Sequence, residues 1–303
     1  MTRTAAATLC AAAAMLLVGT SAAVSALIAD YPVLFGQAVR FAIAAAILMV
    51  VLAVQRAPRI RLTLRDVLLL IALAGTGLVG FNLFLIEATR HASPALIGSV
   101  VGAVPIVLAL AGPVLQRRWP SRRVVIAAVV VAAGTAVAAG WGSGDLLGLL
   151  LALGAMLCEV LFSLLAVPLL PKLGATRVSA YAAVAAVPML LIAGWLTGEV
   201  AALRVPTGVE MTAFVYLGIV VTAVAFLLWY SALRRLGPDR AGLFAGLVPV
   251  GALVTTAILA IAPVSGAEIL GAALIAAGIV YGMRVPRDSA QEDAPERKVA
   301  APE

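Results

Sequence analysis

One histidine (His91) and two cysteines (Cys10 and Cys158) stand in a chain of 303 residues. A lone histidine excludes a multi-histidine metal centre. The cysteines lie far apart, each inside an apolar run, and form neither a metal-binding spacing nor a disulfide framework. Charge is scarce as well, at 12% Asp, Glu, Lys and Arg, where soluble domains carry about 25%. Aromatic residues make up 6%, and the strict polar–apolar alternation of a lipid-facing β-barrel does not occur. There is no Gly-rich phosphate loop at a helix start, no Walker-type motif and no Asp-rich motif, so nothing points to a phosphate-bearing cofactor or to ATP-driven pumping. The sequence therefore carries no sign of a cofactor or a metal.

Apolar residues fill the space left by these absences. They make up 64% of the chain, with a mean hydropathy of +1.14, which excludes a water-soluble globule. A bilayer-spanning helix takes about 20 apolar residues, and this composition suffices for nine or ten. Breaks at charge, Gly and Pro delimit runs at 5–28, 33–54, 66–88, 93–115, 123–140, 146–167, 178–197, 210–231, 240–261 and 267–284. The expected fold is an all-α polytopic membrane protein with ten transmembrane helices. The first run imitates a signal peptide, with Arg3, an apolar stretch and Ala-Val-Ser-Ala near its end. Retention is favoured, because the run is needed as the partner of 146–167 in the repeat described below.

The net charge of +7 does not point to nucleic acid, because the basic residues fall in short clusters between apolar runs. On one side stand Arg3; Arg56, Arg59, Arg61 and Arg65; Arg117, Arg118, Arg122 and Arg123; Lys172 and Arg177; Arg234, Arg235 and Arg240; and Arg284, Arg287, Arg297 and Lys298. The other side has only Arg90 and Arg204, and Arg40 lies within a span. By the positive-inside rule both termini are expected in the cytoplasm of a cell-membrane protein, which requires an even number of spans. The segment 285–303, rich in charge, Ala and Pro, is expected to be a disordered cytoplasmic tail.

The chain repeats itself. Pro105 and Pro249, 144 residues apart, each close a Gly-x-x-Pro. Without any gap, the same offset pairs Arg90 with Arg234, Pro94 with Pro238, Gly98 with Gly242, Gly102 with Gly246 and Gly134 with Gly278. Coincidences among Ala and Leu would mean little here. Gly, Pro and Arg set close approach, helix breaks and membrane boundaries, so their matches carry weight. The expected domains are 1–142 and 143–284, five helices each. Five is odd, so the second half enters from the opposite side and the repeats are inverted, a plan suited to a carrier with a site near the midplane. Gly98, Gly102, Gly242 and Gly246 form paired small-residue faces for helix packing. Pro105 and Pro249 interrupt the same helices by removing a backbone donor.

Two five-helix halves with Arg-x-x-x-Pro at 90–94 and 234–238 resemble the EamA-like family of the drug/metabolite transporter superfamily. The second half shows it best, in Leu-Trp-Tyr-Ser-Ala-Leu-Arg-Arg-Leu-Gly at 228–237, Leu-Val-Pro-Val at 247–250 and the last run at 268–280. The resemblance implies ten spans, cytoplasmic termini, and transport, often export, of small metabolites such as amino acids or drug-like solutes. Val-Pro-Val stands where many relatives have an acidic residue before the proline, so no role of that acid transfers here.

Ionisable groups at membrane depth are costly and face the protein interior or a water-filled path. Glu159, in the middle of 146–167, is the first candidate for binding or coupling, as a proton carrier or a ligand for a cationic group. Its structural alternative is a pair with Arg40. Arg40 suits a carboxylate held bidentately, or simply pairs with Glu87. Glu87 and Asn82 near the end of 66–88 complete the polar set with Ser163. Trp229 and Tyr230, near a boundary, read first as interfacial anchors and second as cavity groups. Phe81, Phe162 and Phe226 read as core before solute contact. The expected function is secondary transport of a small solute, with protons as a candidate coupling ion. A membrane-embedded enzyme on lipid-linked substrates is the alternative, and a passive channel would need a filter sequence or charge rings. Oligomeric state is not readable from these residues.

Overall fold

The computed structural model describes residues 3–58, 60–258 and 265–284. The expected tail, 285–303, lies outside them, as does the end of the run 240–261. Ten helices among the described residues are long and apolar enough to cross a membrane: α1 (Thr4–Ile28), α2 (Val33–Val54), α3 (Leu64–His91), α4 (Pro94–Leu115), α5 (Arg122–Ala139), α6 (Leu146–Leu164), α7 (Leu170–Leu196), α8 (Gly208–Leu236), α9 (Pro238–Ile258) and α10 (Gly266–Met283). Two spans differ most from the sequence expectation, since α7 begins eight residues before 178 and α8 ends five residues after 231. Lys172 and Arg177 suggest a loop, but the backbone turns into helix at Leu170 and breaks only at Gly174 (φ 72°), a conformation that costs glycine little.

The repeat governs local structure as well as composition. At the same 144-residue offset, α3 starts with a capping box of Thr63 and Asp66, and α8 with one of Thr207 and Glu210. Each hydroxyl and carboxylate satisfies a backbone N–H that the first helical turn leaves open. Asp66 also pairs with Lys172 of α7. Both helices then widen into a π turn, at Ala74–Gly80 and Leu217–Val224. Both following helices break: α4 between Val101 and Val104, α9 in a 3₁₀ turn at Leu243–Gly246. Pro105 sits in the first turn of the helix that resumes at Val104, where its missing N–H is least missed. Serine stands at the N-cap position of the last helix of each half, Ser121 before α5 and Ser265 before α10, and Ser265 completes a capping box with Glu268.

Packing follows a pseudo-two-fold relation between the halves. The helices α5 and α10 lie together, as do α2 and α7, each beside its own counterpart. In turn α1 packs on α8 and α9, as α6 does on α3 and α4. Lipid is as apolar as a leucine side chain, so close van der Waals approach rather than water exclusion holds such helices. Glycine permits it: a Cβ on Gly134 would lie 2.8 Å from the Gly271 carbonyl oxygen, and one on Gly271 would lie 2.6 Å from that of Gly134. At the α1–α9 crossing a Cβ on Gly19 would meet the Val248 carbonyl oxygen at 2.2 Å. Outward faces expose leucine and valine along their length, and Trp119, Trp141 and Trp195 are exposed at helix ends, as interfacial anchors are.

Polar clasps close the two ends of the bundle. At the α3–α6 end, His91 Nδ1 lies 3.1 Å from Asp145 Oδ2, and the Ser93 N–H donates to the Ser143 carbonyl (2.8 Å). Asp145 caps α6 through the Gly148 N–H, which together with the His91 ring holds its carboxyl below the ordinary carboxylate range. Arg204 forks onto Glu210 at 2.5 and 2.7 Å, and this pair raises its guanidinium pKa. Glu199 accepts from the Leu34 N–H at 2.8 Å, supplying an anion at the start of α2. At the other end Arg118 approaches Asp239 (3.9 Å), and Arg177 donates to the Pro58 carbonyl (2.6 Å).

Candidate functional site: a central cavity between the halves

A cavity of about 350 Å³ lies inside the bundle, lined by residues of eight helices drawn from both halves. Its walls follow from the irregularities above. The π turn of α3 brings Gly77 against Phe162, where a Cβ would lie 2.6 Å from the Phe162 side chain. A π turn shifts the register of the helix by one residue, and such turns recur at functional sites. The breaks in α4 and α9 place Gly102 and Val104 on one side and Ala245, Val248 and Pro249 on the other.

Arg40 and Glu159 both line this space. Arg40 does not pair with Glu87 or with Glu159. Its Nε donates to Thr222 Oγ1 at 2.7 Å and its Nη1 to Gln37 Oε1 at 3.3 Å. The Thr222 hydroxyl donates in turn to the Leu217 carbonyl at 2.9 Å, a five-residue reach inside the π turn of α8. Thr222 is fully buried and Gln37 nearly so, so the guanidinium is held by two fixed acceptors. Glu159 has no ion-pair partner among the described residues. It lies fourteen residues beyond Asp145, which caps the helix, or ~20 Å along the axis at 1.5 Å per residue.

Of the other sequence candidates, Asn82, Phe81, Trp229, Gly98, Gly102 and Pro249 line the cavity. The Asn82 amide donates to the Leu78 carbonyl at 2.6 Å. Trp229 is 3% exposed and belongs to the wall, not to an interfacial belt, because α8 continues seven residues past it to Leu236. Phe162 and Phe226, expected in the core, contribute to the same wall with ring centroids 5.0 Å apart. Tyr230 is fully buried behind it, packed on Phe162 and Phe226, with its hydroxyl unpaired among the described residues. Ser163 is buried beside Phe162 and is not on the wall. Glu87 lies outside, half exposed and 3.2 Å from Arg90. Gly242 and Gly246 pack against Leu108 and Val131, and Pro105 is buried in its helix.

Sequence reasoning offered no site role for Gln37, Thr135 or Thr222. The signal available for Gln37 was its place three residues before Arg40, on the same helix face. A second space of about 170 Å³ shares Ala139 and Pro249 with the main cavity and reaches Glu268 at the start of α10. Among the described residues, no group of three His, Cys, Asp or Glu side chains is placed to hold a metal ion. The arrangement is a chamber with mostly apolar walls that also carry Arg40 and Glu159, with no ion pair between these two among the described residues.

Two stretches, 5–140 and 146–283, match the EamA-like transporter family. An uncharacterized transporter of Bacillus subtilis (strain 168), YetK, is 25% identical over 276 residues, covering 88% of this chain and 84% of the relative. A second uncharacterized transporter of the same organism, YyaM, is 20% identical over 264 residues, covering 84% and 86%. One crystal structure superposes with a TM-score of 0.78 at 22% identity, covering 92% of this chain and 97% of the other.

Proposed function

The chain belongs to the EamA-like transporter family, and from that premise we propose that it is a secondary carrier, exporting a small metabolite across the cytoplasmic membrane by alternating access. The carrying observation is the cavity itself: about 350 Å³, walled by both halves, with Arg40 from the first and Glu159 from the second. Inverted halves have nearly equal energies when either one tilts against the other, so a site at their junction is exposed to each side in turn. Residues 1–142 and 143–284 are the two rocking units in this reading. The smaller space bounded by α5, α9 and α10 extends the path toward the face where α10 begins. The family is one of transporters and not of enzymes, which leaves the lipid-linked enzyme without support.

The excess of Lys and Arg at the face where α1 begins supports placing that face, and both termini, in the cytoplasm. Coupling falls to Glu159. A bare carboxylate at membrane depth costs several kcal/mol, and a proton or a cationic group of the solute relieves that cost equally well. One carboxylate holds only one of them at a time, so inward protons and outward solute exchange for one another.

Comparing metabolites released by cells with and without the protein identifies the solute. Its uptake into reconstituted vesicles with and without a proton gradient then tests coupling. Equal release from both cell lines, across a broad metabolite survey, would overturn the carrier. A Glu159→Gln protein with unchanged rate and pH dependence would overturn the role of Glu159 and leave the carrier standing.

A further inference from the structure

One corner of the bundle carries positive charge that the described residues hardly neutralise. The loop from α4 to α5 reads Gln-Arg-Arg-Trp-Pro-Ser-Arg-Arg at 116–123, and no Asp or Glu occurs between Glu87 and Asp145. Arg117 and Arg122 are exposed and have no acceptor among the described residues. Arg118 donates to Gln116 Oε1 at 3.2 and 2.6 Å and comes within 3.9 Å of Asp239. Arg123 Nε donates to the Tyr281 carbonyl at 2.8 Å, with its guanidinium 5.1 Å from that ring's centroid. This contact joins the corner to the last turn of α10, and Arg284 is exposed three residues further on.

The backbone seats this charge unusually. At the end of α4 the Arg117 N–H donates to the Val114 carbonyl (2.9 Å) and the Arg118 N–H to the Pro113 carbonyl (2.8 Å). These are the two closing bonds of a Schellman end, whose left-handed residue is usually glycine. Here that residue is Arg117, at φ 54°, where glycine would stand at lower conformational cost. Trp119 follows, 95% exposed, an amphipathic ring of the kind that sits at headgroup level. Ile126 and Val129, both exposed, continue from Arg122 along one side of α5. The repeat does not impose the cluster, since the equivalent positions 261–267 read Ile-Ala-Pro-Val-Ser-Gly-Ala, without a charge. Orientation in the membrane asks for an excess of positive charge, but not for arginine in glycine's place or for tryptophan among the charges.

We propose that this corner is a docking surface for anionic phospholipid, with headgroup phosphates on the guanidinium groups of Arg117, Arg122 and Arg284, the Trp119 ring beside them, and acyl chains along Ile126 and Val129. The planar fork of arginine matches a phosphate bidentately. Each arginine holds a phosphate of its own, so the surface needs no single point where all of them converge. Basic residues at the end of a membrane span attract anionic lipid, by about fivefold in affinity for each one. A soluble phosphate has the same charge but no apolar chain to lie on α5, so lipid is the better match. None of this uses the central cavity, and the lipid surface and the carrier stand or fall separately.

Trp119 can report its own surroundings. The full-length protein, with Trp141, Trp195 and Trp229 replaced by phenylalanine, is reconstituted in phosphatidylcholine vesicles that hold a small fraction of phosphatidylglycerol. Bromine on the acyl chains of one lipid or the other then quenches the indole on contact. At equal mole fraction, brominated phosphatidylglycerol should quench Trp119 at least about fivefold more efficiently than brominated phosphatidylcholine. A matching protein that keeps only Trp141, at the opposite end of α5, should show no such preference. Arg117→Gly should lower the preference at Trp119 about fivefold yet unfold at no lower temperature than its parent, because glycine suits the left-handed position. Arg122→Gln should lower it equally, and Arg122→Lys should keep most of it. The protein with all four tryptophans gives a second measurement: in detergent, added phosphatidylglycerol should raise its unfolding temperature more than phosphatidylcholine does, and Arg117→Gly should narrow that difference. Equal quenching of Trp119 by the two lipids, the same preference at Trp141, or a preference that Arg117→Gly and Arg122→Gln together leave untouched overturns the proposal. Loss of the preference to inorganic phosphate at matching concentration overturns it too, by marking a soluble anion as the occupant.

Discussion

Two glycines four residues apart on α4 should respond in opposite ways to the same substitution. A Cβ on Gly98 would lie 3.6 Å from the Ala139 Cβ, an ordinary contact. A Cβ on Gly102 would lie 2.3 Å from Thr135 Cγ2 and 2.9 Å from the Gly98 carbonyl oxygen. The neighbour has to retreat by more than 1 Å to restore the usual 3.5–4.0 Å. Thr135 has little freedom to do so, being buried with its hydroxyl bonded to the Val131 carbonyl at 3.1 Å. Overpacking of this kind costs about 1–3 kcal/mol, against a gain of roughly 0.4–1 kcal/mol for replacing glycine by alanine where φ is negative, as at Gly102. Gly102→Ala should therefore lose about 0.5–2 kcal/mol, while Gly98→Ala should gain up to ~1 kcal/mol. Thermal or detergent-denaturant unfolding of the purified variants reads both. Adding Thr135→Ser, which removes the nearest atom, Cγ2, and leaves Thr135 Cβ at 2.8 Å, should return part of the Gly102→Ala loss. Equal stabilities for the two alanine variants, or no rescue by serine, would refute the packing argument.

Thr222→Val keeps the shape of the side chain but removes the acceptor for Arg40 Nε. Solute affinity measured by ligand-dependent unfolding should weaken by about 1.5–3 kcal/mol, with Thr222→Ser close to wild type. Tyr230→Phe deletes a fully buried hydroxyl with no partner among the described residues, so its unfolding midpoint should hold or rise by up to ~1 kcal/mol equivalent; a drop of that size would reveal a partner. Glu87→Gln loses only solvent-exposed contacts, with Arg90 at 3.2 Å and His91 at 3.8 Å, and should change stability by less than ~0.5 kcal/mol, with vesicle transport rates unchanged.

The ten spans and the repeat were legible because lipid imposes long apolar runs and because glycine, proline and arginine mark backbone constraints that survive in a low-complexity composition. The bounds of α3, α4 and α5 recur in α8, α9 and α10 at the spacing that Pro105 and Pro249 define. Hidden from the sequence were the π turns at Ala74–Gly80 and Leu217–Val224, which no residue type specifies and which tertiary packing sets. Those turns decide which side chains reach the chamber. They put Thr222, not a carboxylate, on Arg40, and they carry Trp229 inward although its distance from the end of the apolar run suggested an anchor. Glu159 was readable as a lone acid at depth. That Arg40 would share its cavity without pairing with it depends on the side-by-side packing of α2 with α7 and of α6 with α3 and α4, which no spacing within one helix reveals.

Alternating exposure of the chamber is tested most directly with a single cysteine at Ser21, on the cavity wall in α1, in a protein whose Cys10 and Cys158 are replaced by serine and which retains transport. A membrane-impermeant thiol reagent is applied to right-side-out and to inside-out vesicles, and labelling rates are compared with and without saturating solute. A carrier of two tilting halves predicts that the thiol is reached from both sides and that solute changes the two rates in opposite directions. Labelling from one side alone under every condition would contradict it.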